Sequence, residues 1–299
     1  MTDGCRGGEV SGMREETGAG ERAVEETPFD ASERRAWAGR AAAYAAGFGR
    51  LCAYPVPRLL DAAGVGAGAR VLDVGTGTGA VAAAAGARGA RVTAVDAEPD
   101  MVRCAAQAVP EGDVRVAALP RLPFPDGEFD AVVGNFVLNH VGRPRAALAE
   151  LRRVTRPGGH IALTIWAAPA APGQALLGRA LHAAGVSRPP ELPALAPEED
   201  FPRTAEGLAG LLRTAGRLAG VQCAALSWEH RTTPEEWWRG PAAGVATIGQ
   251  IVIGRGADVA ERIRRQFAAL ATEFMDPGGE LVLPHTALLA SGRVAGSAS

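Results

Sequence analysis

The sequence contains no lysine: its 31 strongly basic side chains are all arginine, balanced against 33 carboxylates for a formal net charge of −2. It lacks a basic surplus and any basic stripe interleaved with aromatics, so it offers no counterion-releasing surface for nucleic acid. Aromatic residues make up only 5% of the chain. Cysteine is limited to Cys5, Cys52, Cys104 and Cys223, with no C-x-x-C pair. That scatter argues against a zinc site or a disulfide framework and for idle thiols in a reducing compartment. No apolar run reaches the roughly 18 residues of a membrane span. The N-terminus has no basic stretch followed by an apolar run, so no secretory signal is expected. These absences point to a cytoplasmic protein with no membrane, nucleic-acid or metal partner, its oligomeric state open between monomer and homodimer.

What is present suits one large α/β domain: 299 residues, 47% of them hydrophobic. Residues 1–31 are rich in Gly, Glu, Thr and Arg and poor in aliphatics, the composition of a disordered tail. Order is expected from Ser32, an N-cap for a helix carrying Trp37, Ala41, Tyr44 and Phe48. The folded domain then runs 32–299: N-terminal lid helices over 32–69, a core over 70–166, and an acceptor side over 167–299. Across the core, apolar strands alternate with helices, implying right-handed crossovers and a mostly parallel sheet covered on both faces. Thr233-Pro-Glu-Glu236 is a capping box with Pro at the first helical position, opening a helical insertion over 234–277. Leu281 to Arg293 reads as a last, antiparallel strand.

The chemistry concentrates in one segment. Arg70 to Val74 is a strand buried on both faces apart from Asp73. It runs into Gly75-Thr76-Gly77-Thr78-Gly79, where positive φ turns the chain and no side chain stands between backbone and ligand. The next strand, Arg91 to Val95, ends at Asp96, whose carboxylate can accept from both hydroxyls of a ribose. The glycine spacing alone also fits a nicotinamide-dependent oxidoreductase. Asp73 favours the other reading: it lies beside the turn, where it would repel a pyrophosphate and attract an ammonium or sulfonium.

Val71–Gly79, the Val92–Asp96 strand, Leu122-Pro-Phe-Pro-Asp-Gly-Glu-Phe-Asp130 and Arg156-Pro-Gly-Gly159 follow one another at characteristic intervals. Together they resemble the successive motifs of class I S-adenosylmethionine-dependent methyltransferases, most closely small-molecule enzymes related to quinone-biosynthesis C-methyltransferases. The resemblance is strong over roughly 35–166. It implies a Rossmann-like seven-stranded sheet, S-adenosyl-L-methionine as cofactor, and methyl transfer to an O, N or C atom of a small molecule of specialised or quinone-like biosynthesis. A protein that binds the cofactor without methylating remains a further alternative.

On this reading Asp73, Gly75, Thr76, Gly77 and Gly79 hold the methionyl end and Asp96 the ribose. Ala97, Met101 and Leu119 pack on adenine. Ala118 stands where many relatives carry an adenine-binding Asp, so that contact falls to backbone. Asn135 and Phe136 line the methionine side, and Tyr44 belongs to the lid. His140, just past the fourth strand, is the candidate general base. His230 is a second histidine that could face the pocket, while Asp130 reads as structural. Trp228, Trp237 and Trp238 surround the start of the insertion; the last two are adjacent on a helix and cannot share a face.

Overall fold

The computed structural model describes residues 26–296, so most of the expected tail lies outside the described residues. The first helix, α1 (Pro28–Trp37), starts earlier than Ser32. Thr27 is its N-cap and forms a reciprocal capping box with Asp30. The single helix expected through Phe48 is instead three pieces, α1, α2 (Ala41–Ala45) and α3 (Phe48–Cys52). Gly39 has φ 68° and Gly47 is the non-helical cap of α3, so the 3.6-residue spacing continues across two breaks. A fourth helix, α4 (Val56–Ala62), leads into the sheet.

The core then alternates β1 (Arg70–Val74), α5 (Ala80–Ala87), β2 (Arg91–Asp96), α6 (Pro99–Ala108), β3 (Asp113–Val116), β4 (Phe129–Asn135), a 3-10 turn Val137–His140, α7 (Pro144–Val154) and β5 (Thr155–Trp166). Pro157-Gly158-Gly159 lies inside the bulged start of β5. There follow α8 (Pro172–Ala183), α9 (Ala205–Thr214), β6 (Leu218–Thr232), α10 (Pro234–Ala242), α11 (Ala246–Gly254), α12 (Ala257–Ala271) and β7 (Leu281–Val294). β6 runs for 15 residues, through Trp228 to Thr232. It pairs only with β7 and lies at a sheet edge, where its solvent-side residues need no apolar signature.

Among the described residues the strands form one seven-stranded sheet, order β3-β2-β1-β4-β5-β7-β6, parallel except for β7. Alternate side chains of the central strands feed two cores. Leu72, Val132, Ile161 and Leu163 meet α7 and α9 on one face. Val71, Ala131, Val133 and Ala162 meet α4 and α5 on the other. A third cluster joins α8 to the insertion helices through Leu176, Trp237, Ile263 and Phe267. Strand order reverses between β1 and β4, so their carboxyl ends splay apart and open a crevice there.

Candidate active site

The crevice begins at the glycine turn, and its three glycines do different work. A Cβ on Gly75 would lie 2.6 Å from Val137, so this residue lets β1 approach the turn after β4. A Cβ on Gly79 would lie 3.0 Å from the Ala105 backbone, which sets the contact between α5 and α6. Gly77 is less crowded: a Cβ there would make only ordinary contact with the Tyr44 ring, at 3.5 Å. Gly75 and Gly79 thus serve close packing of the chain on itself, whereas Gly77 leaves more room beside the turn. All three have positive φ, which L side chains rarely adopt.

Asp96 is fixed by the turn it serves. Its Oδ2 accepts from the Gly77 amide at 2.8 Å and its Oδ1 from the Glu98 amide at 2.9 Å. Burial raises its pKa, with the Glu98 and Gly77 amides and His140 pulling the other way. Asp73 is fully buried; its Oδ2 accepts from Thr76 Oγ1 at 2.7 Å, while its Oδ1 has no hydrogen-bond partner among the described residues. Burial, reinforced by the nearby Asp96 charge, pushes this carboxyl up to about 7, against the pull of the Thr76 hydroxyl and, more weakly, of the Ala82 amide at the start of α5. A buried carboxylate with an oxygen to spare, beside a glycine turn whose amides are already engaged, suits a cation. The donor set thus fits a nucleoside with a cationic tail.

The N-terminal helices close over this turn. Burial holds the Tyr44 hydroxyl well above its ordinary pKa, and its neighbour Cys52 is raised to about 12, again by burial. Tyr44 meets Trp37 edge-on at 5.6 Å, and Trp37 meets His140 edge-on at 5.2 Å. Sequence reasoning missed Glu33. Its Oε2 lies 2.7 Å from His140 Nδ1 and accepts from Trp37 Nε1 at 3.3 Å. The docking that brings it there is specific: Asp30 Oδ1 accepts from the Gly142 amide at 2.6 Å. A Cβ at Gly142 would collide with Thr27 and Asp30. The only available signal was the Thr27–Asp30 capping pattern, which places Glu33 one turn later.

The remaining sequence candidates fall as follows. Asn135 donates to the Cys52 carbonyl at 2.7 Å and accepts from Thr164 Oγ1 at 2.6 Å, tying β4 to β5 and α3. Phe136 is buried with φ 62° and stacks on Trp166 at 4.1 Å. Met101 is buried at the start of α6, which follows Ala97 in the loop after β2. Ala118 and Leu119 follow β3, where Ala118 bridges Arg121. Asp130 lies at the opposite end of β4. The Arg70 side chain, with Arg156, holds its carboxyl well below the usual range, as expected of an ion pair clamping strands. Of the adjacent tryptophans, Trp237 turns inward against His230, and Trp238 stacks on Phe267 of α12 at 5.5 Å.

Residues 72–163 match the family model described as a methyltransferase domain. The chain is 38% identical over 166 residues to a demethylmenaquinone methyltransferase of Beutenbergia cavernae, covering 52% of this chain and 69% of that one. The chain belongs to the class I S-adenosylmethionine-dependent methyltransferases. Against the corresponding enzyme of Renibacterium salmoninarum the match is 38% over 111 residues, so this methyltransferase spans about half, 47%, of that protein's length. An uncharacterised protein of Mycobacterium tuberculosis is 30% identical over 233 residues, 74% of this chain and 81% of that one. Among solved structures, the YcgJ protein of Bacillus subtilis shares the fold, with a TM-score of 0.53 at 22% identity over 81% of this chain and 98% of that one. The cofactor is S-adenosyl-L-methionine. Among the described residues no helix is long and apolar enough to cross a membrane.

Proposed function

We propose that this methyltransferase acts on an O, N or C atom of a small molecule in specialised or quinone-like biosynthesis. One observation carries the reading of the donor end: the buried Asp73 carboxylate, with one oxygen unpartnered, stands beside the Gly77 turn. Asp73 meets the ammonium of the methionyl tail, and Gly77, without a side chain, lets that tail approach the turn. Each Asp96 oxygen spends one lone pair on an amide and keeps another for a ribose hydroxyl. Met101 and Leu119 offer an apolar surface to adenine, and Tyr44 covers the turn. The bound cofactor supplies a methyl group made electrophilic by its sulfonium.

At the acceptor side, the Glu33 carboxylate lies 2.7 Å from His140 Nδ1 and favours the tautomer protonated there, with Nε2 as the basic nitrogen, over the longer 3.4 Å approach of the Trp37 indole N–H to the same atom. His140 then takes the acceptor's proton as the methyl group arrives, while Trp37 and Tyr44 keep water from the turn. Calorimetric titration with S-adenosylhomocysteine and with NADH tests the donor end. Tight NADH binding with no response to the homocysteine compound would overturn it. Incubating the labelled methyl donor with a pool of phenols, amines and activated carbon acids tests the transfer. Donor that binds but labels none of them would favour a protein that holds the cofactor without methylating.

A further inference from the structure

The helix that covers the cofactor turn is only five residues long. It is α2, and it carries Tyr44, whose ring lies 3.5 Å from the Cβ position of Gly77. A helix this short cannot hold itself in place by its own hydrogen bonds, so its position is set by what its flanks touch. A glycine break stands on either side: Gly39 with φ 68°, and Gly47 with φ −137° and ψ −96°. The residue next to each break fastens to the insertion.

Ahead of α2, Arg40 Nε donates to the Gly244 carbonyl at 3.4 Å, and Gln250 Nε2 of α11 donates to the same oxygen at 2.7 Å. Gly244 has φ 76°, and a Cβ there would lie 3.1 Å from Arg40 Nε and 2.7 Å from Ile253. Behind α2, the Phe48 ring meets Trp237 edge-on at 5.2 Å. The same ring lies over Gly240 of α10, where a Cβ would come within 3.3 Å of its edge. One turn further on, Arg50 faces Glu236 of α10 at 4.0 Å. Gly240 and Gly244 thus each make room for one flank of the segment that bears Tyr44.

We propose that the insertion positions the cofactor's cover: Gly240 with Phe48, and Gly244 with Arg40, hold Tyr44 on the Gly77 turn and so set how fast the cofactor leaves. This rests on the reading of that turn as the seat of the methionyl tail. The four are positioning residues that act through Tyr44. Lifting α2 off the turn breaks the Phe48–Gly240 and Arg40–Gly244 contacts, so their strength enters the barrier to release. Both contacts are made to α10 or to the turn that follows it, so one element of the insertion controls both ends of the cover.

The test follows S-adenosylhomocysteine leaving the immobilised full chain by surface plasmon resonance, alongside hydrogen exchange of the Ala41–Ala45 amides without ligand. Gly240→Val drives a branched side chain into the Phe48 ring. It should speed release about 3–10-fold and raise exchange over Ala41–Ala45. Adding Phe48→Leu makes room again and should bring both readouts back to within about twofold of the unaltered protein, a rescue that general loosening of α10 would not give. Arg40→Met, at a half-buried surface position, should speed release about 2–4-fold and serves even if Gly240→Val does not fold. Gly254→Ala lies in the same insertion with nothing within 4 Å of the added carbon and should change neither readout. Exchange over Ala41–Ala45 unmoved by both Gly240→Val and Arg40→Met would overturn the proposal at the grip. Faster exchange with unaltered release would overturn it at its premise, the seating of the tail beneath Tyr44, so the two failures are told apart.

Discussion

At the glycine-turn end of the crevice, polar groups are partnered from close by in sequence: Asp73 by Thr76 three residues on, Asp96 by Glu98 two residues on and by Gly77 nineteen residues back. At the aromatic end, three buried ring nitrogens drawn from β6 and α10 have no partner among the described residues. The first end is preorganised by its own backbone for a ligand of fixed chemistry. The second holds its ring nitrogens in close aromatic packing, with room for no more than a water beside His230 and Trp237. His140 sits between them, tied by Glu33 to the N-terminal helix. The contrast predicts that the cofactor responds directly to substitutions at the turn end, and to those at the aromatic end only through the N-terminal helices.

The largest expected effect is that of Asp96→Ala. It removes the acceptor for two amides that shape the turn and both contacts to a ribose. Each charge-assisted bond is worth roughly 1.5–3 kcal/mol. S-adenosylhomocysteine binding should fall beyond detection at micromolar concentration in calorimetry. Unchanged affinity for the homocysteine compound would refute the ribose assignment. His140→Ala should lower turnover about 10²–10⁴-fold with cofactor affinity intact. Glu33→Gln should cost less, about 10-fold, because it disturbs only the orientation of the ring. Near-normal turnover in His140→Ala would return that histidine to a structural role, closing the gap between the two ends.

Gly79→Ala separates framework from ligand contact. The substitution puts a methyl group 3.0 Å from the Ala105 backbone at φ 90°. Urea denaturation should show a loss of about 1–3 kcal/mol. The same change at Gly77 meets only the flexible edge of Tyr44, so beyond its positive-φ strain its effect should appear mainly in cofactor affinity. Equal stability losses at both positions would mean that Gly77 is packed as tightly as its neighbour.

Much of the turn end was legible in the sequence because its information is local. The run from Arg70 through Gly79 to Asp96 fixes two strands, a turn and a carboxylate within one βαβ interval, and the structure holds the same elements. The N-terminal helix was misread as continuous because Trp37, Tyr44 and Phe48 keep helical spacing across breaks at Gly39 and Gly47. The Glu33–His140 pair spans 107 residues and leaves no periodic trace. Helical geometry separated Trp237 from Trp238, but only the docking of α10 on β6 and α12 decides which faces His230. The orphaned nitrogens are a tertiary property, invisible until the strands bring their rings together.

The smallest effect is the most diagnostic of charge at the turn end. Burial raises the Asp73 carboxyl to about 7 from an ordinary 3.8. Between those values the folded protein holds a proton that the unfolded chain has lost. The Asp73 contribution to stability should therefore decline as pH rises from about 4 through 7 and level off above. His230 and His285, held neutral by burial down to about 4, contribute in the opposite sense over the lower part of that range. The Asp73 share is read as the difference between the unaltered protein and Asp73→Asn. A cation against Oδ1 favours the ionised form, so binding S-adenosylhomocysteine at pH 6 should release most of one proton, and at pH 8 almost none. Calorimetry in two buffers of different ionisation enthalpy counts that proton directly. Affinity should rise with pH up to about 7 and then plateau. Asp73→Asn keeps the shape and the Thr76 contact but cannot ionise, so it should abolish the proton release and weaken binding about 10-fold or more at pH 8. If the variant released the same fraction of a proton as the unaltered protein, the titrating group would lie elsewhere, and the electrostatic case for a cation at this end would fall with it.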